Sequence, residues 1–178
     1  MKISALFLTL FLSACMTNRN SSVHPLNYDQ VRLLTVGISS EADVIKILGN
    51  PTGRIQDTDH YTLNFDDAST GSQRLSINFL SSNHKILDFL WIPKAEEKES
   101  SLAEAKNSFK TAQFKEFAEN ENNPHSISAD VIFYKDEMSG VTIRYDTGTK
   151  TVEAIAMFDV NHRLPAENTK KKKAPYSL

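Results

Sequence analysis

Hydrophobic residues recur along the chain with two different spacings, one helical and one extended, and these predict the order of elements. Ser40 followed by Asp43 has the spacing of a capping box, which satisfies free backbone donors at a helix start. Three apolar residues follow at helical intervals: Val44, Ile47 and Leu48. Gly49 allows a left-handed end to the helix, and Pro51 prevents its continuation. The pattern predicts a short amphipathic helix after Ser40.

Three strand-like runs follow this helix, and apolar and polar residues alternate in the first two, as is typical of half-buried strands. The runs cover residues 61–65, 75–79 and 86–92. Polar turn residues separate them, so we predict a three-stranded antiparallel meander. Trp91 lies in the third run, where we interpret it as a core residue. If the outer face of the sheet is open, Trp91 is instead a candidate anchor for a protein partner.

The same order of elements recurs in the second half of the chain. A second helical pattern runs from Leu102 to Phe117. Strand patterns then follow at residues 131–134, 141–145 and 152–158. They repeat the earlier strands at an offset of about 66 to 69 residues, as an internal duplication predicts. Two unrelated halves that share a common element order are the alternative.

These patterns predict an α+β fold made of two tandem units, residues 28–93 and residues 94–160. Each unit contains a helix and a three-stranded antiparallel sheet, with the helices packed on one sheet face.

The first fifteen residues have the pattern of an export signal. Lys2 precedes an apolar run at residues 3–12. The run has the length of a signal-peptide hydrophobic region and is too short for a membrane-spanning helix, which needs about 20 apolar residues. The run closes on Leu12-Ser13-Ala14-Cys15, which resembles the lipobox of bacterial lipoproteins. The resemblance implies a signal peptide at residues 1–14, cleavage before Cys15 and lipid attached to Cys15. Secretion with a free Cys15 and a buried N-terminal helix are the alternatives.

Two polar segments flank the predicted units. Residues 15–27 are interpreted as the lipidated cysteine and a flexible tether, and residues 161–178 as a disordered basic tail. The tail contains four consecutive lysines: Lys170, Lys171, Lys172 and Lys173. They are either solvated or in weak contact with anionic lipid or envelope polymer.

The residue after Cys15 bears on localisation. In lipoprotein sorting, an aspartate at that position favours the inner membrane, and here the residue is Met16. The resemblance therefore implies a protein anchored by lipid to the cell outer membrane and facing the periplasm.

Charge and cysteine content narrow the classes of partner. The chain has 20 Lys and Arg against 22 Asp and Glu, so no basic surplus favours a nucleic acid. Cys15 is the one cysteine. Once lipidated, it leaves no thiol for a disulfide, a nucleophile or a metal site. The predicted partners are the membrane, through lipid on Cys15, and an envelope protein.

No pattern for catalysis or for a cofactor stands out. The five histidines lack the paired spacing of a helical metal site, and the six glycines form no phosphate-binding loop. Four aspartates flank one predicted strand: Asp57, Asp59, Asp66 and Asp67. Calcium needs ligands that alternate through one tight loop, so we interpret these as solvated carboxylates. We predict a protein that is not an enzyme, with no catalytic residue, cofactor or metal; an active site built from scattered residues is the alternative.

A longer stretch resembles a known lipoprotein domain. Gly37, the small polar pair Ser39-Ser40, Val44 with Ile47, and Leu48-Gly49-Asn50-Pro51 match the start of the SmpA/OmlA (BamE-like) outer-membrane lipoprotein domain. The resemblance implies helices on one face of a three-stranded sheet and a non-catalytic role in assembling outer-membrane β-barrel proteins. Members of that family end after one unit; the second unit here makes the architecture resemble tandem β-lactamase-inhibitor proteins.

Two functions follow as hypotheses. The first is a lipid-anchored periplasmic binding or scaffold lipoprotein that supports an envelope protein complex, with outer-membrane β-barrel assembly as the process implied by the resemblance. The alternative is an inhibitor-like module that binds and occludes a periplasmic or extracellular enzyme.

Overall fold

A computed structural model describes residues 26–118 and 130–162, in which eight strands form one antiparallel sheet. The strands are β1 (Gly53–Gln56), β2 (His60–Asp66), β3 (Gln73–Leu80), β4 (Ile86–Trp91), β5 (Lys115–Ala118), β6 (Val131–Asp136), β7 (Val141–Asp146) and β8 (Thr151–Phe158). The helices are α1 (Tyr28–Val31), α2 (Glu41–Leu48) and α3 (Leu102–Asn107), and a 3₁₀ turn covers Lys98–Ser100.

The sheet has the strand order β1-β2-β3-β4-β8-β7-β6-β5. Strands β1 to β4 form one meander and β5 to β8 another, and the two meet where β4 pairs with β8. In that pairing Asp88 lies opposite Phe158, and Trp91 lies opposite Ile155. The two halves of the chain therefore contribute to one continuous sheet.

The predicted fold class, two tandem units of helix plus three-stranded sheet in the BamE or β-lactamase-inhibitor style, is wrong. The eight strands make a single sheet, each meander has four strands, and the helices are few and short. Strand β1 was missed because most of its four residues are exposed, which leaves no alternation to detect. The duplication itself stays a prediction.

The predicted helix from Leu102 to Phe117 is also wrong beyond its first six residues. Helix α3 ends at Asn107, and Ser108 donates its hydroxyl to the Glu104 carbonyl, 3.1 Å away. Phe117 lies in β5, opposite Phe133 of β6. Strand pairing outweighs the helical spacing of these residues, because local propensity is a weak preference that tertiary contacts override.

Helix α2 confirms the predicted helix after Ser40. The Ser40 Oγ accepts a hydrogen bond from the Asp43 N–H at 3.3 Å, and Asp43 Oδ2 accepts one from the Ser40 N–H at 2.8 Å. Val44 is fully buried, and Gly49 ends the helix at φ 85°. Both local signals, the capping box and the glycine, act as predicted.

The core lies on one face of the sheet, where alternate strand residues meet the three helices. Tyr28, Val31 and Leu34 from the α1 region join Val44 of α2 and Ala105 of α3 in one buried cluster. The strands contribute these fully buried side chains: Tyr61, Leu63, Leu75, Ile77, Phe79, Phe89, Trp91, Ile143 and Ile155. A single cluster thus holds both meanders together.

Several predictions concern residues outside the described ranges. They are the signal peptide at 1–14, lipidation of Cys15, most of the tether and the tail with Lys170, Lys171, Lys172 and Lys173. In the part of the chain that is described, no helix has the length and apolar character needed to cross a membrane.

Candidate functional site: the outer face of the sheet

The face of the sheet opposite the core carries no helix within residues 26–118 and 130–162. We call it the outer face. Strand pairing aligns one row of its residues across all eight strands, in the order Gly53, Asn64, Ser76, Leu90, Ala156, Thr142, Lys135 and Lys115. The row crosses the junction of β4 and β8 without a break. Both halves of the chain therefore present one common surface.

The β2–β4 part of the outer face is polar, and its side chains hold one another in place. The Thr62 hydroxyl donates to Asn78 Oδ1 at 2.5 Å, and Asn78 Nδ2 donates to Asp88 Oδ1 at 2.7 Å. In the adjacent row, Ser76 Oγ donates to Asn64 Oδ1 at 3.1 Å. Side chains fixed in this way lose little further freedom when a partner binds.

Asp88 stands at the centre of this face, on β4 next to the junction with β8. Burial raises the pKa of its carboxyl, while the hydrogen bond from Asn78 and the nearby His60 act in the opposite direction with smaller effect. The negative charge of Asp88 is therefore only partly compensated in the folded chain.

Replacing Asp88 with asparagine is expected to raise the thermal midpoint by a few degrees at neutral pH. The folded carboxyl keeps a proton that the unfolded one releases, so wild-type stability falls as pH rises from about 4, the ordinary value, to the raised pKa. Asparagine keeps a hydrogen-bond acceptor for Asn78, and the variant does not lose stability over this pH range. The advantage of Asp88→Asn should grow across that window, in melts followed by circular dichroism.

The exposed Asp59 provides the control for this measurement. Because its side chain is exposed, Asp59→Asn is expected to leave the midpoint almost unchanged at neutral pH. A midpoint for Asp88→Asn that stays at or below that of the wild type at neutral pH would contradict the assignment of Asp88 as a desolvated carboxylate.

The β5–β6 end of the outer face is basic and aromatic. Lys115 lies directly opposite Lys135, and Phe117 lies opposite Phe133. The Lys135 ammonium is 5.3 Å from the Phe117 ring centroid and 5.2 Å from that of Phe133. The rings favour the cation, but two like charges directly opposite each other destabilise a sheet. Across the described ranges, neither lysine forms an ion pair.

Tyr61 and its neighbours form a polar cluster on the core side of the sheet. The Tyr61 hydroxyl donates to Glu41 Oε2 at 2.7 Å and lies 3.1 Å from His84 Nδ1, and Arg54 Nη1 pairs with Glu41 Oε1 at 2.6 Å. Burial and the Glu41 carboxylate raise the pKa of Tyr61 far above its usual value. A phenol held protonated and a carboxylate already paired offer neither a nucleophile nor a free base. We interpret the cluster as the fastening of α2 to β1 and β2.

Trp91 lies in the hydrophobic core. Its ring has no exposed surface, packs 5.8 Å from the Tyr28 ring centroid and lies 4.5 Å below the Arg74 guanidinium. The prediction of Trp91 as a partner anchor fails, because the register of β4 turns the ring toward the core and away from the outer face. The core interpretation is confirmed.

The four predicted solvated aspartates divide into two groups. Asp57 and Asp59 are exposed, as predicted, and Asp66 is half-buried. The prediction fails for Asp67, whose carboxylate is 9% exposed and pairs with Lys94. The ammonium of Lys94 and hydrogen bonds from Ser69 hold the pKa of Asp67 well below its usual range. In the described ranges, no three His, Cys, Asp or Glu side chains group as metal ligands would.

Sequence reasoning missed the two lysines at the β5–β6 end of the outer face, Lys115 and Lys135. Lys115 was assigned to a helix, and Lys135 had no assigned partner strand. Lys115 to Ala118 are two polar residues followed by two apolar residues, so no alternation marked this strand in the sequence.

Comparisons with known proteins add little to this geometry. No family model matches the chain, and no curated protein matches it. Among solved structures, the chain is similar to YjgB, a DUF4309 family protein from Bacillus subtilis, with a TM-score of 0.42 and 11% identity. That match covers 70% of this chain and 81% of the other. A likeness at this level carries no conclusion about function.

Proposed function

We propose that this protein is a lipid-anchored lipoprotein of the outer membrane that binds an envelope protein through the outer face and supports its complex. The observation that carries the proposal is the unbroken row across eight strands, which ends in two lysines that form no ion pair among the described residues. The lipobox-like end at Cys15 supports the anchor. The SmpA/OmlA resemblance makes β-barrel assembly the process to test first.

The size of the outer face suits a protein partner. Neighbouring strands lie about 4.8 Å apart, so eight strands give a width of about 34 Å. With strands about 20 Å long, the face covers about 700 Å². A specific protein interface buries about 800 Å² on each side.

The chemistry of the outer face defines what the partner must present. Lys115 and Lys135 favour carboxylates, and the neighbouring Phe117 and Phe133 offer apolar contact. Leu90, 38% exposed, adds an apolar position near the centre. The partner is therefore expected to present an acidic rim beside an apolar patch.

Charge reversal on the outer face tests the proposal. The tagged, lipidated protein is captured from detergent-solubilised envelope, together with the variant Lys115→Glu/Lys135→Glu. We expect the wild type to capture a discrete protein and the variant to bind it at least about tenfold more weakly, because like charges at an interface repel.

The matched control carries the same change of charge elsewhere. Lys46 on α2 and Lys98 in the 3₁₀ turn are both exposed, so Lys46→Glu/Lys98→Glu should capture as well as the wild type. Equal capture by all three proteins, or by none, would overturn the outer face as the binding site.

One observation favours an inhibitor as the second candidate. Both meanders contribute strands to one surface, which is what occlusion of an enzyme by both halves requires. If the captured partner is an enzyme, its activity should fall to zero at one equivalent of this protein. A partner that keeps its activity when saturated excludes inhibition and favours the scaffold role.

A further inference from the structure

Two of the most exposed large hydrophobic side chains in the described ranges lie in one short connection. Leu33 is 67% exposed and Ile38 is 68% exposed. Both fall between the end of α1 and the start of α2, and the stretch around Ile38 hydrogen-bonds alongside the start of β4. A single exposed leucine is ordinary, but two exposed apolar side chains on one connection, close in sequence to a predicted lipid anchor, indicate a contact surface.

The connection between α1 and α2 is held in a fixed shape. The Ile38 N–H donates to the Thr35 carbonyl at 3.1 Å, and the Thr35 N–H donates to Ser39 Oγ at 2.9 Å. The Gly37 N–H donates to the Ile86 carbonyl of β4 at 2.8 Å, which ties the connection to the sheet. Leu33 and Ile38 are thus exposed on ordered backbone, so little conformational entropy is lost when they bind another surface.

The position of the connection relative to Cys15 indicates that the bilayer lies within its reach. Leu26, the first described residue, lies eleven positions after Cys15. A flexible segment of that length has a root-mean-square reach of about 17–20 Å. An anchor at Cys15 would therefore keep the start of α1 within this distance of the bilayer.

We propose that Leu33 and Ile38 enter the apolar part of the membrane interface and orient the domain on the bilayer. The inference rests on the proposed function, since it needs the lipid on Cys15. Arg32 is already paired with Asp29 at 3.3 Å, and Glu41 and Asp43 follow nearby, so the contact is apolar and does not depend on anionic lipid.

Fluorescence of a label at single positions tests this contact in the intact lipidated protein. The variants Leu33→Cys and Ile38→Cys each receive a polarity-sensitive dye, and the protein is reconstituted into phosphatidylcholine vesicles that contain spin-labelled lipid. Ile55→Cys is the matched control, because Ile55 is 61% exposed but lies on edge strand β1. Cys15 itself carries lipid and does not react with the dye.

We expect blue-shifted emission and at least about twofold quenching at positions 33 and 38, with neither at 55, unchanged by anionic lipid or by salt. Vesicle-bound protein with all three positions equally unquenched would overturn the membrane contact but not the anchor. Protein that does not remain on the vesicles would show that Cys15 carries no lipid, and would overturn the proposed function as well. Thermal melts of the labelled variants establish that each is folded.

Discussion

Replacing Arg74 with methionine is expected to lower the free energy of unfolding by about 3 kcal/mol. Arg74 is 3% exposed, and its Nη2 donates to both Glu97 oxygens at 2.7 Å while Nε donates to the Ile92 carbonyl at 2.6 Å. Methionine fills much of the volume but leaves the Glu97 carboxylate without its cation. Removing one partner of a buried pair costs about 3–5 kcal/mol, and the 21% exposure of Glu97 favours the lower end.

Urea unfolding followed by circular dichroism measures this change. The control is Arg32→Met, because Arg32 and Asp29 form an exposed pair that contributes about 0–1 kcal/mol. The double variant Arg74→Met/Glu97→Leu should recover part of the loss, since no carboxylate is then left unpaired. A single variant that unfolds with the same midpoint as Arg32→Met would show that the Arg74 pair contributes little.

Replacing Trp91 with alanine is expected to lower the free energy of unfolding by about 3–5 kcal/mol, because it leaves a large cavity in the core. Trp91 lies opposite Leu75 of β3 and Ile155 of β8, so its ring contacts strands from both meanders. The chain has a single tryptophan, so circular dichroism must replace intrinsic fluorescence in this comparison.

Trp91→Phe separates the core role of this residue from a binding role. The indole Nε1 is buried and has no hydrogen-bond partner among the described residues, so phenylalanine removes an unsatisfied donor. We expect a cost below about 1.5 kcal/mol and unchanged capture of the envelope partner. Loss of capture in a stably folded Trp91→Phe protein would revive Trp91 as an anchor.

Sequence reasoning succeeded where the signal was local. The capping box at Ser40 and Asp43 and the left-handed Gly49 determine α2 whatever the rest of the chain does. Alternation located β2 and β3, and apolar runs located β4 and β8, to within one or two residues at each end. These elements carry their own information in short windows.

The features that were missed depend on pairing between distant residues. Nothing near β4 in sequence indicates that its second neighbour is β8. A single eight-stranded sheet and two separate sheets therefore produce the same local sequence pattern. From sequence alone, Lys115 and Phe117 fit the end of a helix. Only the pairing with Lys135 and Phe133 shows that they belong to a strand. The outer face could therefore be anticipated as an open sheet surface, but its charge and its extent could not.

The same ambiguity applied to the aspartates. The carboxylates of Asp57 and Asp67 lie in similar polar sequence, and only the arrival of Lys94 and Arg74 from other parts of the chain distinguishes them. Composition gives the number of charges, but tertiary structure decides which are solvated.

The central place of β8 has a consequence for the kinetics of folding. The pairs between β4 and β8 join residues 64 to 70 positions apart, and such high contact order slows folding. Until β8 docks, β4 and β7 each leave an edge with unpaired backbone groups, which is where strands of another chain can add. We therefore expect the insertion of β8 to limit the folding rate, and chains that stop before Thr151 to aggregate rather than to fold as a smaller sheet.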